Sequence, residues 1–155
     1  MKFMFVVDHL AYTESNYAIF NEINRLSDKI NASIVPLNAS NKMMDVNAAI
    51  MNTSEISEFS NGVIVATTIE QGAEILSAIN NSIKVLYLWD MDWMFDLTNY
   101  EYLYDVLNHP KLNIFVRSSS HADAVLEICD NLITIQPKLN LEEIWNSLKE
   151  TATLS

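Results

Sequence analysis

The chain is short of the residues that staple a fold, loosen it or charge it positively. Cys129 is the only cysteine, which excludes a disulfide framework and a multi-cysteine metal site. It falls in a stretch expected to be helical, where it reads as a buried, inert thiol. Only two glycines are present, Gly62 and Gly72. Neither belongs to a G-x-G-x-x-G loop, a Walker loop or a G-x-S-x-G elbow, so dinucleotide binding is set aside and no cofactor is expected. Nine Lys and Arg stand against 20 Asp and Glu, a formal net charge of −11. The basic residues are scattered singly, without the clusters that neutralise phosphates, so direct nucleic-acid binding is not expected. Such an acidic balance is expected first of all to keep a surface soluble, with steering toward a basic partner as the lesser reading. Long apolar runs are missing as well. Phe3 to Val7 and Gly62 to Ala66 are strand-sized, against the roughly 20 residues of a membrane span. Only Lys2 precedes the first apolar run, which has no small-residue cleavage site behind it, so the default expectation is a cytoplasmic location without a signal peptide.

What is present is apolar patterning. Half of the 155 residues are hydrophobic, enough for one domain over residues 1–150 to bury about two-thirds of its unfolded surface; 151–155 reads as a frayed tail. Phe3–Val7 reads as a buried strand, followed by a loop and a helix carrying Ile19, Ile23, Leu26 and Ile30 behind Thr13 or Ser15 as N-cap. Ser33–Leu37 is a short strand in which Pro36 removes a ladder donor and favours a place toward an edge. Residues 42–51 form a weak helical pattern through Met43, Val46, Ile50 and Met51, with a helical turn after Thr53 or Ser54. Asn61-Gly62 marks a turn before the strand Val63–Thr67. Thr68-Ile-Glu-Gln71 is a capping box that opens a helix with Ile69, Ala73, Leu76 and Ile79 inward.

A strand over 83–89 ends abruptly in Trp89-Asp90-Met91-Asp92-Trp93. Thr98-Asn-Tyr-Glu101 reads as another capping box, with Tyr100, Leu103, Tyr104 and Leu107 forming the inward helix face. Leu112–Val116 is a strand, and Ser120 with Asp123 opens a helix through Cys129. Leu132–Gln136 is the last strand, and Asn140 with Glu143 caps a helix through Leu141, Ile144, Trp145 and Leu148. Strand and helix alternate about six times, which predicts a single doubly wound, mostly parallel, Rossmann-like α/β sheet with helices on both faces. The strand order is not legible; 3-2-1-4-5-6 is the candidate.

In such sheets ligands bind outside the carboxyl ends of the strands. The residues following the strands are Asp8 and His9, Thr67 and Thr68, Asp90 and Asp92, and Arg117 to His121. Several have structural readings: Thr68, Thr98 and Ser120 as helix caps, Asp8 and Asp90 as acceptors for backbone donors at strand ends. For Asp90 and Asp92 the flanking tryptophans predict a water-poor setting in which a carboxylate could serve as a general base. No ligand spacing brings His9, His121, Asp90 and Asp92 together as a metal site. The late strand-end lysine of a receiver-type phosphoacceptor site is missing.

The run Leu-Trp-Asp-Met-Asp-Trp93, the helix Tyr-Glu-Tyr-Leu-Tyr-Asp-Val-Leu and the segment Ile-Phe-Val-Arg-Ser-Ser-Ser-His-Ala-Asp123 together resemble the N-terminal, acceptor-side Rossmann-like domain of two-domain, GT-B type glycosyltransferases, as in short glycosyltransferase-like proteins of tailed phages. The resemblance implies an acceptor cleft against Asp8, His9, Asp90, Asp92 and Arg117, with Ser118 and His121 beside it, Trp89 and Trp93 as walls, and Asp90 or Asp92 as the base. It also implies either a partner chain that supplies the nucleotide-sugar half, because this chain has only the acceptor half, or a relic domain that kept its fold and took on a binding role; a protein partner or a homo-oligomer is expected, in a host-cell cytoplasmic setting if the source is a phage. The alternative expectation is a non-catalytic acidic domain that binds another protein, with Trp89 and Trp93 as interface anchors.

Overall fold

The computed structural model describes residues 1–40, 44–95 and 99–153, with 151–153 as backbone alone. Strand β1 (Lys2–Val7) leads to helix α1 (Glu14–Arg25), then β2 (Asn31–Pro36), β3 (Ala49–Ile50), α2 (Glu55–Glu58), β4 (Val63–Ala66) and α3 (Ile69–Ser77). Strand β5 (Ile83–Leu88) is followed by a 3-10 turn at Asp92–Phe95, then α4 (Tyr100–Leu107), β6 (Leu112–Val116), α5 (Ser119–Leu126), β7 (Ile133–Ile135) and α6 (Leu141–Thr153). The strands form one seven-stranded sheet in the order β3-β2-β1-β4-β5-β6-β7, and every pairing is parallel. This is the expected doubly wound, Rossmann-like α/β fold, with one strand more than expected. The 3-2-1-4-5-6 order holds only when the two-residue β3 is counted; among the six strands read from the sequence, the order begins 2-1-3.

The extra strand replaces a helix. Residues 44–51 carry no helix, and Ala49–Ile50 instead pairs with Ser33–Ile34 at the sheet edge; positions 42 and 43 lie outside the described residues. The weak propensity of an Asn- and Asp-rich run is overridden by pairing with β2. Pro36 closes β2 opposite Val7, beyond the reach of β3, so its missing N–H breaks no ladder bond.

Alternation along the strands divides the core. Met4, Val6, Ile64, Ala66, Leu86 and Leu88 pack beneath α2 to α5, while Phe3, Phe5, Val7, Val65, Val85 and Tyr87 pack beneath α1 and α6. Local capping sets several helix starts. The Thr13 side chain accepts from Asn16 N–H, Thr68 and Gln71 form a reciprocal capping box, and Asn140 Oδ1 accepts from the N–H groups of Glu142 and Glu143. Gly62 is required by close approach: a Cβ there would lie 2.8 Å from Lys2 O and 2.8 Å from the Phe59 ring. Asn61 before it takes the left-handed conformation, φ 55°.

Several expectations are corrected. Helix α5 is capped by Ser118, not Ser120, and ends at Leu126, so Cys129 lies beyond it. Its thiol is buried all the same, donates to Leu107 O at 3.1 Å, and is pushed above the ordinary range by burial. Ile79 is 96% exposed, because α3 ends at Ser77. On α4 the inward residues are Leu103, Val106 and Leu107, while Tyr100 and Tyr104 face outward with ring centroids 6.4 Å apart. Thr98 lies outside the described residues, and Asn99 takes the cap position without a side-chain bond. Helix α6 runs to Thr153, into the stretch read as a tail. Among the described residues no helix is long and apolar enough to cross a membrane.

Candidate functional site

The carboxyl ends of the strands do not present one cleft. The strand order turns at β1 and β4, where the general rule places a ligand. There the β1–α1 loop is tied to itself: buried Asn16 donates to His9 O at 2.7 Å and Ala11 O at 2.8 Å, and His9 Nδ1 accepts from Ala11 N–H at 3.2 Å. Asp8 is directed toward β2 and accepts from Asn38 Nδ2 at 3.0 Å.

The cleft opens one strand further along, between β4 and β5. It holds about 290 Å³ and is lined by Thr67, Thr68, Ile69 and Glu70 on one side and by Leu88, Asp90, Asp92 and Trp93 on the other. The first wall is rigid because one oxygen, Gln71 Oε1, accepts from Thr67 N–H (2.9 Å), Thr67 Oγ1 (3.1 Å) and Thr68 N–H (3.3 Å). On the second wall, Asp90 Oδ1 accepts from Asp92 N–H at 3.2 Å and starts the 3-10 turn that carries Asp92 and Trp93. Asp90 therefore has the backbone-satisfying role expected at a strand end. The Asp92 carboxylate has no hydrogen bond or ion pair among the described residues. Both aspartates are exposed, which corrects the expected water-poor setting. The indole N–H of Trp93 is buried and has no acceptor among the described residues.

The two tryptophans do not clamp the aspartates. Trp89 follows Tyr87 onto the α1/α6 face, whereas the 3-10 turn sends Trp93 to the opposite face against the α2–α5 cluster. On its own face Trp89 lies tilted against Tyr87, ring centroids 6.0 Å apart, and 4.3 Å beneath the Arg117 guanidinium. Arg117 also donates to Trp89 O at 3.2 Å and lies 3.6 Å from Glu14. Its guanidinium is half-buried, held over Trp89 and hydrogen-bonded to it, rather than presented at the cleft. Tyr87 donates to Gln136 O at 2.8 Å, and burial, opposed by Arg117, pushes its phenol up to about 12.

Ser118 is spent as the cap of α5, its hydroxyl accepting from His121 N–H at 3.2 Å. His121 is half-buried in the first turn of that helix, with Nδ1 unpartnered among the described residues. The structure thus brings Asp90, Asp92 and Trp93 together and leaves Asp8, His9, Trp89, Arg117, Ser118 and His121 outside their cleft. Sequence reasoning overlooked Glu70, whose place inside the capping box hid its position on the cleft wall, and Glu14, the ionic partner of Arg117.

Among the described residues, the cleft lining carries carboxylates, hydroxyls and an aromatic side chain but no Lys or Arg. It suits hydroxyl groups rather than phosphate. Among the described residues no three His, Cys, Asp or Glu side chains are grouped to hold a metal ion. A parallel, doubly wound sheet with a small acidic cleft at its carboxyl edge defines a Rossmann-like α/β protein. Compared with protein-family models, curated proteins and solved structures, the chain has no match.

Proposed function

We propose that the cleft between β4 and β5 binds a sugar-like polyol, as the acceptor half of a glycosyltransferase-like reaction whose nucleotide-sugar half is supplied by a partner chain. One juxtaposition carries this reading: the Asp92 carboxylate, without a partner among the described residues, beside the aromatic wall of Trp93 and the hydroxyl-bearing wall of Thr67 and Thr68, in a cleft of about 290 Å³. Aromatic faces receive the apolar faces of sugar rings, and carboxylates accept hydrogen bonds from hydroxyls. The volume lies at the lower end of ligand pockets, which suits a single ring. Asp92 is the choice of base over Asp90, which is engaged in its own turn. In transfer, Asp92 would take the proton of the acceptor hydroxyl as the oxygen attacks the anomeric carbon of the donor, and the nucleotide diphosphate would leave with the bonding pair. The absence of Lys and Arg among the described lining residues agrees with a donor held elsewhere.

The test uses methyl glycosides of glucose, galactose, mannose and N-acetylglucosamine as probes, observed by saturation-transfer NMR. Binding of at least one glycoside is expected, with a shift of the Trp93 indole N–H resonance and loss of binding in Asp92→Asn and Trp93→Ala. Asp8→Asn should bind as the parent does. No saturation transfer to any glycoside, or unchanged binding by both cleft variants, overturns the reading.

A further inference from the structure

The open edge of the sheet at β7 is built unlike its interior. Among the described residues, β7 has a ladder partner on one side only, β6. Gln136 N–H donates inward to Val116 O at 2.7 Å, and since backbone groups alternate along a strand, the N–H and C=O groups of Ile133 and Ile135 point outward from the sheet. Apolar side chains surround that edge: Leu132 is 81% exposed, Leu126 55% and Ile135 49%. No charged residue lies within Leu132–Gln136, although charge is a usual protection of sheet edges.

Hollows lie on both faces of this same strand. On the α5 side a groove of about 500 Å³ runs between Ala122 and Leu126 of the helix and Ile133 and Ile135 of the strand. On the α6 side a smaller hollow of about 190 Å³ lies by Asn113, Thr134 and Ser147, and Leu132 borders both. A strand added to β7 would send successive side chains alternately to the two faces, one set into each hollow. Asp123 and Asp130 line the larger groove, which among the described residues has no Lys, Arg or His in its lining.

We infer that β7 is a docking edge that accepts an extended segment of a basic partner protein, with large apolar side chains at alternate positions, small or polar ones between them, and Lys or Arg at the flanks. A second copy of this chain is the poorer occupant. It would set the same carboxylates against each other on a molecule of formal net charge −11. The inference does not depend on sugar binding, because the cleft at Asp92 and the β7 edge share no residue.

The test titrates the 15N-labelled protein with a capped Lys-Leu-Ser-Leu-Ser-Leu-Lys peptide and reads amide shifts and hydrogen exchange. Shifts at Ile133 and Ile135 with new exchange protection are expected, together with about tenfold weaker binding for Ile135→Lys and for a peptide with glutamate in place of both lysines. Ile135 is half-exposed, so that variant should fold, which its amide spectrum verifies. No shift at about 1 mM peptide, a value near the weak limit of specific affinity, overturns the inference. Equal binding by the glutamate peptide, or concentration-dependent self-association abolished by Ile135→Lys, overturns the choice of a basic partner.

Discussion

Lys84 enters β5 with its ammonium inside the protein. It is 3% exposed, and its Nζ donates to Asn80 Oδ1 at 3.1 Å, an oxygen that also receives the N–H and hydroxyl of Ser82. Burial first, and Lys111 second, pull its pKa below the ordinary lysine value. A buried cation facing a neutral acceptor destabilises a fold relative to an apolar side chain of similar length. Lys84→Met should therefore stabilise the protein by about 1 kcal/mol at neutral pH, read from the urea midpoint. The pH dependence has a definite sign. With the folded-state pKa depressed, the folded protein releases the proton before the unfolded chain does, so parent stability rises from the lowered value up to the ordinary one. The advantage of the methionine variant should shrink over that window.

At the scale of elements, the rigid wall of the cleft depends on Gln71. Its Oε1 satisfies two backbone donors and one hydroxyl, whereas Thr68 Oγ1 receives one N–H at 3.3 Å. Gln71→Leu should lose about 2–3 kcal/mol by leaving buried donors unpaired, against about 1 kcal/mol for removal of the cap by Thr68→Ala. Urea unfolding of the two variants checks the order. The same comparison separates what the sequence disclosed from what it did not. Strands and most helix starts were legible because their signals are local: apolar runs for β1, β4, β5 and β6, and side chains reaching backbone N–H groups two or three residues ahead at Thr13, Thr68 and Asn140. The edge strand β3 was not legible, because pairing with β2 decides it. The outward tyrosines of α4 were misread because an i, i+4 aromatic pair has the same spacing on either face of a helix. The candidate site was legible as an edge but not as a cleft. Trp89 and Trp93 are close in sequence, yet period-two alternation followed by a 3-10 turn puts them on opposite sides of the sheet.

For the whole molecule, charge and connectivity act together. Glu22 pairs with Arg25 through both oxygens at 2.8 Å and also accepts Leu141 N–H at 3.1 Å, while Glu142 reaches Lys29 at 2.9 Å, so α1 and α6 are joined ionically at the surface. The hydrogen bond from Lys29 chiefly holds the Glu142 carboxyl below its ordinary range, with Arg25 helping against burial. A lowered carboxylate pKa contributes stability that is complete above the unfolded-state value, about 4.3 for Glu, and is lost as pH falls through the folded value. Glu142→Gln should be less stable than the parent at pH 7 and converge with it in acid, as followed by thermal unfolding across pH. If the difference persists unchanged at low pH, the pair does not contribute as a charge.

The closing of the α1/α6 face also sets an order of events in synthesis. Phe3 is covered by Trp145, with ring centroids 5.9 Å apart, and the bond from Leu141 to Glu22 spans 119 residues. While β1 to β6 emerge from a ribosome, the side of β1 that Trp145 covers stays open, because α6 follows all of those strands in the chain. Loop closure over such distances is slow compared with local helix formation. The growing chain therefore leaves Phe3 without its Trp145 cover until α6 has been made, and that interval is when it is most exposed to aggregation and to capture by chaperones.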